Sequence, residues 1–245
     1  MAHFYLNEAI DTAQPGDTVG IAGGEVRHAV TVSRVAVGDP LTIGNGRGLV
    51  VHGTVVTAEH TELAIVVESA TTLEQTEPAI ILVQALAKGD RDEMAVQAST
   101  ELGVDVVVPW SASRSISRWE GAKVAKGIAR WHAIVREASK QSVRAWVPDV
   151  LDLVNTAALA KLSGPTRMLV LEPTAEQALS TLELSPDESQ DLTLVVGPEG
   201  GIAPHELDAL VAAGATLVRL GDSVLRTSTA GPAAIAVLSA KLGRW

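Results

Sequence analysis

Around Pro78 the rhythm of the chain changes, and that change limits the folds open to it. Up to residue 75 the apolar residues come in short runs, DTVGIA, PLTIG, LVVHGTVV and ELAIVVE, each rich in β-branched residues and bounded by turn formers. Such runs read as strands, and several strands in so little chain suggest a small barrel. Gly44, Gly46 and Gly48 fall between two of the runs and read as a hairpin loop. They do not make a dinucleotide fingerprint, which must lead from a strand into a helix. TTLEQTEP, polar and ending at Pro78, reads as a linker.

Beyond the linker, strand and helix alternate. AIILVQALA, VDVVVPW, MLVLEP, LTLVVGP and TLVRLG are continuous apolar runs, the kind buried on both faces of a parallel sheet. DRDEMAVQASTELG, a stretch from about Glu120 to Ser142, PHELDALVAAG and TAGPAAIAVLSAKL read as helices. The expectation is an α/β fold in two domains, a small β-barrel over residues 1–75 and an α/β domain over residues 76–245.

Composition removes several chemistries. With 47% hydrophobic and 20% charged residues the chain is globular, and with no cysteine it has no disulfide, thiolate metal site or cysteine nucleophile. The six histidines are scattered without an H-x-x-x-H or H-E-x-x-H pair, so no metal is expected. The absence of GxxxxGK[ST] excludes a P-loop nucleotide site. MAHFYLNEAIDTAQ lacks the basic and apolar stretches of a signal peptide, and no apolar run reaches the roughly 18 residues of a membrane helix, so a cytoplasmic protein is expected.

Ligands in α/β sheets bind where loops leave the carboxyl ends of strands. Three loops qualify: Glu172-Pro173-Thr174 after MLVL, Gly197-Pro198-Glu199-Gly200-Gly201 after LTLVV, and residues 221–230 after TLVRL. Each also admits a plain reading. The glycine loop can be a simple strand-to-helix turn, and Ser228 or Thr229 can be an N-cap with Pro232 in the first turn. The final helix is apolar almost all round (Ala233, Ala234, Ile235, Ala236, Val237, Leu238, Ala240), so it must be buried on several sides, in the fold or between subunits.

GPEGG at 197–201, followed after a short βα unit by LRTSTA at 225–230, resembles the SPOUT methyltransferases. More narrowly, it is similar to the family that methylates N3 of one uridine in 16S ribosomal RNA; KGDRDEMAVQASTELGV at 88–104 and REASKQSVR at 136–144 match that family in order and spacing. The resemblance covers essentially the whole chain. It implies a SPOUT-type α/β domain with a deep trefoil knot at 76–245 and a PUA-like RNA-binding β-barrel at 1–75. It also implies S-adenosyl-L-methionine as cofactor, a homodimer, and 16S rRNA within the 30S subunit as substrate. By position the implied cofactor contacts are Leu171, Glu172, Gly197, Pro198, Glu199, Gly200, Gly201, Leu220, Gly221, Val224, Leu225, Arg226 and Thr227. The chain departs from many relatives in carrying Ser228 where they have Glu, a change that still permits a helix cap. Two other readings stay open: a knotted methyltransferase with another RNA target, and a ribosome-assembly RNA-binding protein without catalysis.

The net charge of −10 argues against general nucleic-acid binding, but it is unevenly spread. Residues 111–147 hold eight basic groups against Glu120 and Glu137, a net of +6. On a helical projection Val124, Ile128, Trp131, Val135 and Ala138 form one stripe, with Lys123, Lys126, Arg130, Lys140 and Arg144 roughly opposite. A solvated helix face is the plain reading; the family match favours RNA contact by Lys123, Lys126, Arg130, Arg136, Lys140 and Arg144, with Arg34 in the barrel. Trp119 and Trp146 flank the helix as candidates to stack an unpaired base, whereas Trp131 belongs to the packed stripe, and His28 beside Arg34 reads as structural. Methyl transfer to N3 requires the deprotonated imide. Arg226 is the first candidate to stabilise that anion, and Glu199 is either a base or a structural part of its turn.

Overall fold

The computed structural model describes residues 4–184 and 190–245; the first three residues of the expected N-terminal domain lie outside it. The chain divides into two compact units, the first made of residues up to Gln75 with Ser139–Val147, the second of Thr76–Ala138 with Pro148–Trp245.

The first unit is a curled five-stranded sheet of β1 (Phe4–Leu6), β2 (Thr18–Ile21), β3 (Pro40–Gly44), β4 (Leu49–Ala58) and β5 (Leu63–Thr72) in the order β1-β3-β4-β5-β2. All pairs are antiparallel except β1–β3. The alternation in β4 buries Leu49, Val51, Gly53 and Val55, and the side chains of Leu49, Val51 and Val55 join Tyr5, Ile21, Ile43, Leu63 and Ile65 in one core. Asn7 Nδ2, just after β1, donates to the Gly20 carbonyl in β2 at 2.6 Å and so links the two edge strands. A short helix, α1 (Gly24–Arg27), runs into a π-turn (His28–Val32); Val26 and Ala29 enter the core while His28 meets Tyr5 edge-on, a packing role. Gly44–Gly48 is the expected hairpin loop, with Asn45 Oδ1 accepting from the amides of Arg47 and Leu49.

The second unit is built on six parallel strands: β6 (Ile80–Ala85), β7 (Val106–Trp110), β8 (Asp149–Val150), β9 (Arg167–Leu171), β10 (Leu192–Val196) and β11 (Thr216–Val218). Their order is β11-β9-β10-β6-β7-β8. Helices α2 (Arg91–Glu101), α3 (Ala122–Gln141), α4 (Thr156–Ala160), α5 (Pro204–Ala212) and α6 (Thr227–Lys241) complete the second unit apart from the last residues of α3, which group with the first. The runs that form β6, β7, β9 and β10 are buried as their continuity predicted, whereas the TLVRLG run forms the edge strand β11 and is only partly buried. Val83, Val170 and Val195 face Leu159 of α4 and Leu210 of α5. On the other face α6 packs so closely that a Cβ on Gly231 would lie 3.1 Å from Leu82 and 3.5 Å from Val196.

Helix α6 begins earlier than the sequence suggested. Arg226 is its N-cap, because its carbonyl accepts from the amides of Thr229 and Ala230. Ser228 and Thr229 are therefore inside the helix, not caps, and Pro232 lies in the second turn, where it removes the bond that would run to the Ser228 carbonyl. Burial of Gly231, Pro232, Ala234, Ile235 and Leu238 offsets that loss. Beyond α6, Arg244 closes the unit: its guanidinium reaches Asp105 Oδ2 at 3.1 Å and the carbonyls of Gly103 and Pro78, while Asp105 also accepts from the Ile80 amide. Both partners are nearly excluded from water, with side chains 12% and 6% exposed. Removing one partner of a buried pair strands the other charge, so Arg244→Leu should lower stability by about 3–5 kcal/mol in urea denaturation.

Candidate functional site

Because β11, β9 and β10 are neighbours, the loops leaving their carboxyl ends share one edge of the sheet. They enclose a cavity of about 340 Å³. Leu171, Glu172 and Pro173 come from the first loop, Gly197, Pro198, Glu199 and Gly201 from the second, and Leu220, Gly221, Val224, Leu225, Arg226 and Thr227 from the third. Twelve of the thirteen positions expected at the cofactor thus line one cavity; Gly200 does not. It faces Arg114 instead, whose Nη1 donates to the Gly200 carbonyl at 3.2 Å and whose Cβ would lie 3.3 Å from a Cβ on Gly200.

The glycine loop has little room for side chains. A Cβ on Gly197 would come within 2.6 Å of Ile202 Cγ1, and Gly201 has φ +71°, a left-handed conformation that favours glycine. A carboxylate and a hydroxyl hold the loop at two points. Glu199 Oε1 accepts from the Lys88 amide at 2.9 Å and lies 3.9 Å from Arg91 Nη1, which ties the loop to the start of α2. With that oxygen engaged, the geometry favours the turn role of Glu199 over that of a base. Thr227 Oγ1 donates to the Gly197 carbonyl at 2.8 Å and accepts from Gln84 Nε2 at 2.9 Å. Gln84 is fully buried near the carboxyl end of β6, so strand, glycine loop and the start of α6 meet at one hydroxyl.

The other two loops are braced in the same way. Glu172 Oε1 accepts from the amide and hydroxyl of Thr174. Arg219 Nη1 donates to the carbonyls of Ala175 and Glu176. Arg226 is exposed at the rim, and among the described residues its guanidinium has no hydrogen-bond or ion-pair partner. Val224, 76% exposed, and Leu225 add an apolar edge.

Sequence reasoning missed Gln84, Arg91, Arg219 and Glu206. Gln84 is a lone polar residue inside an apolar strand, and that mismatch was the signal available. Glu206 is 1% exposed at the start of α5. Burial pushes its carboxyl up, but donors from Thr156 (2.6 Å), Ser113 (3.0 Å) and Ala203 (3.3 Å) outweigh that and hold it below its ordinary value of 4.5.

The expected RNA-contact residues are placed unevenly. Arg34, Lys123 and Lys126 are exposed. Arg130 is bound by Glu93 at 2.9 Å and Arg136 touches Glu137. Lys140 is a correction to the projected basic face: its ammonium is paired with Glu25 at 2.9 Å, with side chains only 9% and 12% exposed. The last residues of α3 belong to the first unit, where Lys140 finds its partner. Arg144 is half-buried there too. Trp131 is buried, as its stripe predicted; Trp119 packs edge-on against it at 5.4 Å, and Trp146 donates to the Leu73 carbonyl at 2.9 Å. No group of three or more metal-ligating side chains occurs among the described residues, and no helix is long and apolar enough to cross a membrane.

A parallel α/β sheet with a braced glycine cradle at its carboxyl edge defines a protein that binds a cofactor-sized ligand through backbone atoms. The RNA methyltransferase domain family matches residues 74–239. The chain is 38% identical over 247 residues to the ribosomal RNA small subunit methyltransferase E of Mycobacterium tuberculosis, covering 99% of this chain and 92% of that one. It is 28% identical to the protein of the same name from Bacillus subtilis, over 98% and 96% of the two chains. The crystal structure of a ribosomal RNA small subunit methyltransferase E from Neisseria gonorrhoeae bound to S-adenosyl methionine superposes with a TM-score of 0.86 at 29% identity, covering 98% of both chains. The chain therefore belongs to the RNA methyltransferase family.

Two outcomes follow from the bracing. Thr227→Val removes the hydroxyl that donates to the Gly197 carbonyl and leaves Gln84 Nε2 only the Ala85 carbonyl as acceptor; it should cost about 1–3 kcal/mol of stability and weaken ligand binding at the cavity in calorimetry. Because the folded pKa of Glu206 is depressed, its contribution is present above its unfolded pKa and is lost as pH falls through the folded value. In Glu206→Gln the decline in stability below about pH 4.5 should flatten, as read from urea midpoints across pH.

Proposed function

We propose that the protein transfers a methyl group from S-adenosylmethionine to N3 of one uridine in 16S ribosomal RNA, within the 30S subunit. The glycine-braced cavity is the observation that carries this reading, in a chain whose relatives are named small-subunit rRNA methyltransferases. Its residues suit such a cofactor. Leu171, Leu220, Val224 and Leu225 offer an apolar slot for a flat base, loop amides and carbonyls offer its polar edge partners, and Glu172, Arg91 and Arg226 offer charges for an amino-acid tail. The volume falls within the roughly 300–1,000 Å³ of small-ligand pockets.

When bound, S-adenosylmethionine supplies an electrophilic methyl on a sulfonium. The chain's own task is to exclude water, align the acceptor and favour the N3 anion. Arg226 sits at the rim with its N–H groups unengaged by the fold, placed to hold the developing charge on a uracil oxygen. Glu199 clamps the loop rather than moving the proton.

The same reading includes a trefoil knot in the second unit, a PUA-like barrel formed by the curled first sheet, and a cytoplasmic homodimer. Supporting the dimer, Ala233, Ala236, Val237 and Ala240 leave a small apolar face of α6 partly uncovered. Arg34, Lys123 and Lys126 are the members of the expected RNA patch that the fold leaves exposed, with Arg130, Arg136, Lys140 and Arg144 contributing less through their carboxylate pairing or burial.

Labelled cofactor, unmodified 30S subunits and naked 16S RNA test this directly. Label should enter RNA, and mass spectrometry of the nucleosides should find N3-methyluridine; methylation of another base or of ribose would move the target, and no cofactor binding in calorimetry would defeat the reading. Arg226→Ala should lower turnover by about 10²–10³-fold, with an unchanged melting temperature.

A further inference from the structure

An RNA backbone binds cations that the protein has not already neutralised, so the pairing of each basic group matters more than its place on a helical wheel. Along α3, Arg130, Arg136 and Lys140 all have carboxylate partners. The segment before it differs. Arg114 and Arg118 are exposed, and among the described residues neither has a carboxylate partner. Each guanidinium is pinned by a main-chain carbonyl: Arg114 Nη1 donates to Gly200 and Arg118 Nη2 to Ser113, both at 3.2 Å. Pinning by one N–H orients the planar fork and leaves its other donors outward, an arrangement suited to phosphate oxygens.

The segment is also firmly held. The Ser113 amide donates to buried Glu206 at 3.0 Å, and Ser113 Oγ lies 3.2 Å from His205 Nε2, both at the start of α5. Through Gly200 and through α5, the two arginines are therefore attached to the C-terminal end of the glycine loop that lines the cavity and to the helix that follows it. The motifs did not single them out, since SASRSISR reads only as a polar loop.

We propose that Arg114 and Arg118 form a phosphate-binding subsite that holds the RNA backbone beside the cofactor loop. The inference rests on RNA methyl transfer as the function and adds where the substrate strand is gripped. It explains why Gly200 faces away from the cavity: its carbonyl orients the first of the two arginines.

The test uses Arg114→Gln, Arg118→Gln and the double variant, because glutamine keeps the aliphatic stem and a polar end while removing the charge. Binding of unmodified 16S RNA is measured against KCl concentration without cofactor turnover, and cofactor affinity is measured separately by calorimetry. Each substitution should weaken RNA binding and reduce the slope of log affinity against log salt by about 0.7–0.9, with cofactor affinity within twofold of wild type. Arg130→Gln, whose charge is already paired, should change the slope less. A double variant with the wild-type slope would overturn the subsite. So would a loss of cofactor affinity matching the loss of RNA affinity, which would make the arginines mere supports of the loop. Wild-type methyl transfer to the same RNA, run in parallel, reports on the activity alone.

Discussion

Thr227 Oγ1 holds together three segments that are far apart in the chain. It accepts from Gln84 near the end of β6 and donates to the Gly197 carbonyl just after β10, while its own backbone starts α6. Gln84 and Thr227 are buried, where a lost bond is costly, and Gly197 is partly so; each therefore depends on the others being in place. The cavity exists because this junction fixes the glycine loop against α6, and because β11, β9 and β10 are adjacent strands. Glu199 and Glu206 extend the bracing outward, the first to the start of α2 and the second to Ser113 and Thr156.

Carboxylates in this protein serve mainly to position backbone and cations. Asp105 anchors Arg244 and the Ile80 amide, Glu25 takes up Lys140, and Glu93 takes up Arg130. The acidic excess of the whole chain is therefore partly spent on internal pairing, while among the described residues several other cations stay exposed without a carboxylate partner. Two separate parts of the sequence supply cations around the glycine loop: Arg114 and Arg118 from the segment tied to Gly200 and α5, and Arg226 from the cavity rim. An enzyme that must engage one RNA site without holding all RNA benefits from a small positive patch on an acidic body.

Much of the fold was readable in the residues. Apolar runs such as LTLVV and MLVL became central parallel strands, and the change of rhythm near Pro78 marks where the first unit's continuous stretch ends. The helix expected from about Glu120 to Ser142 spans Ala122–Gln141, with Trp131, Val135 and Ala138 buried on its stripe. Local signals failed where a distant partner decided the outcome. Periodicity places Lys140 on the solvent face, but Glu25, more than a hundred positions away, removes it from solvent. Cap preference favours Ser228, yet the N-cap is Arg226, because the buried bonds of Thr227 start the helix earlier.

By itself the sequence determined the element types, the three loops able to meet a ligand and, through four ordered motifs, the family. These rest on local patterning and on residue identity, which do not need a fold to be read. Only the tertiary structure decided which charges remain available, which glycine faces the cavity and which faces Arg114, and that a glutamine inside a strand supports the site. Strand order and side-chain pairing join residues across more than a hundred positions, and neither spacing nor propensity carries information over that distance.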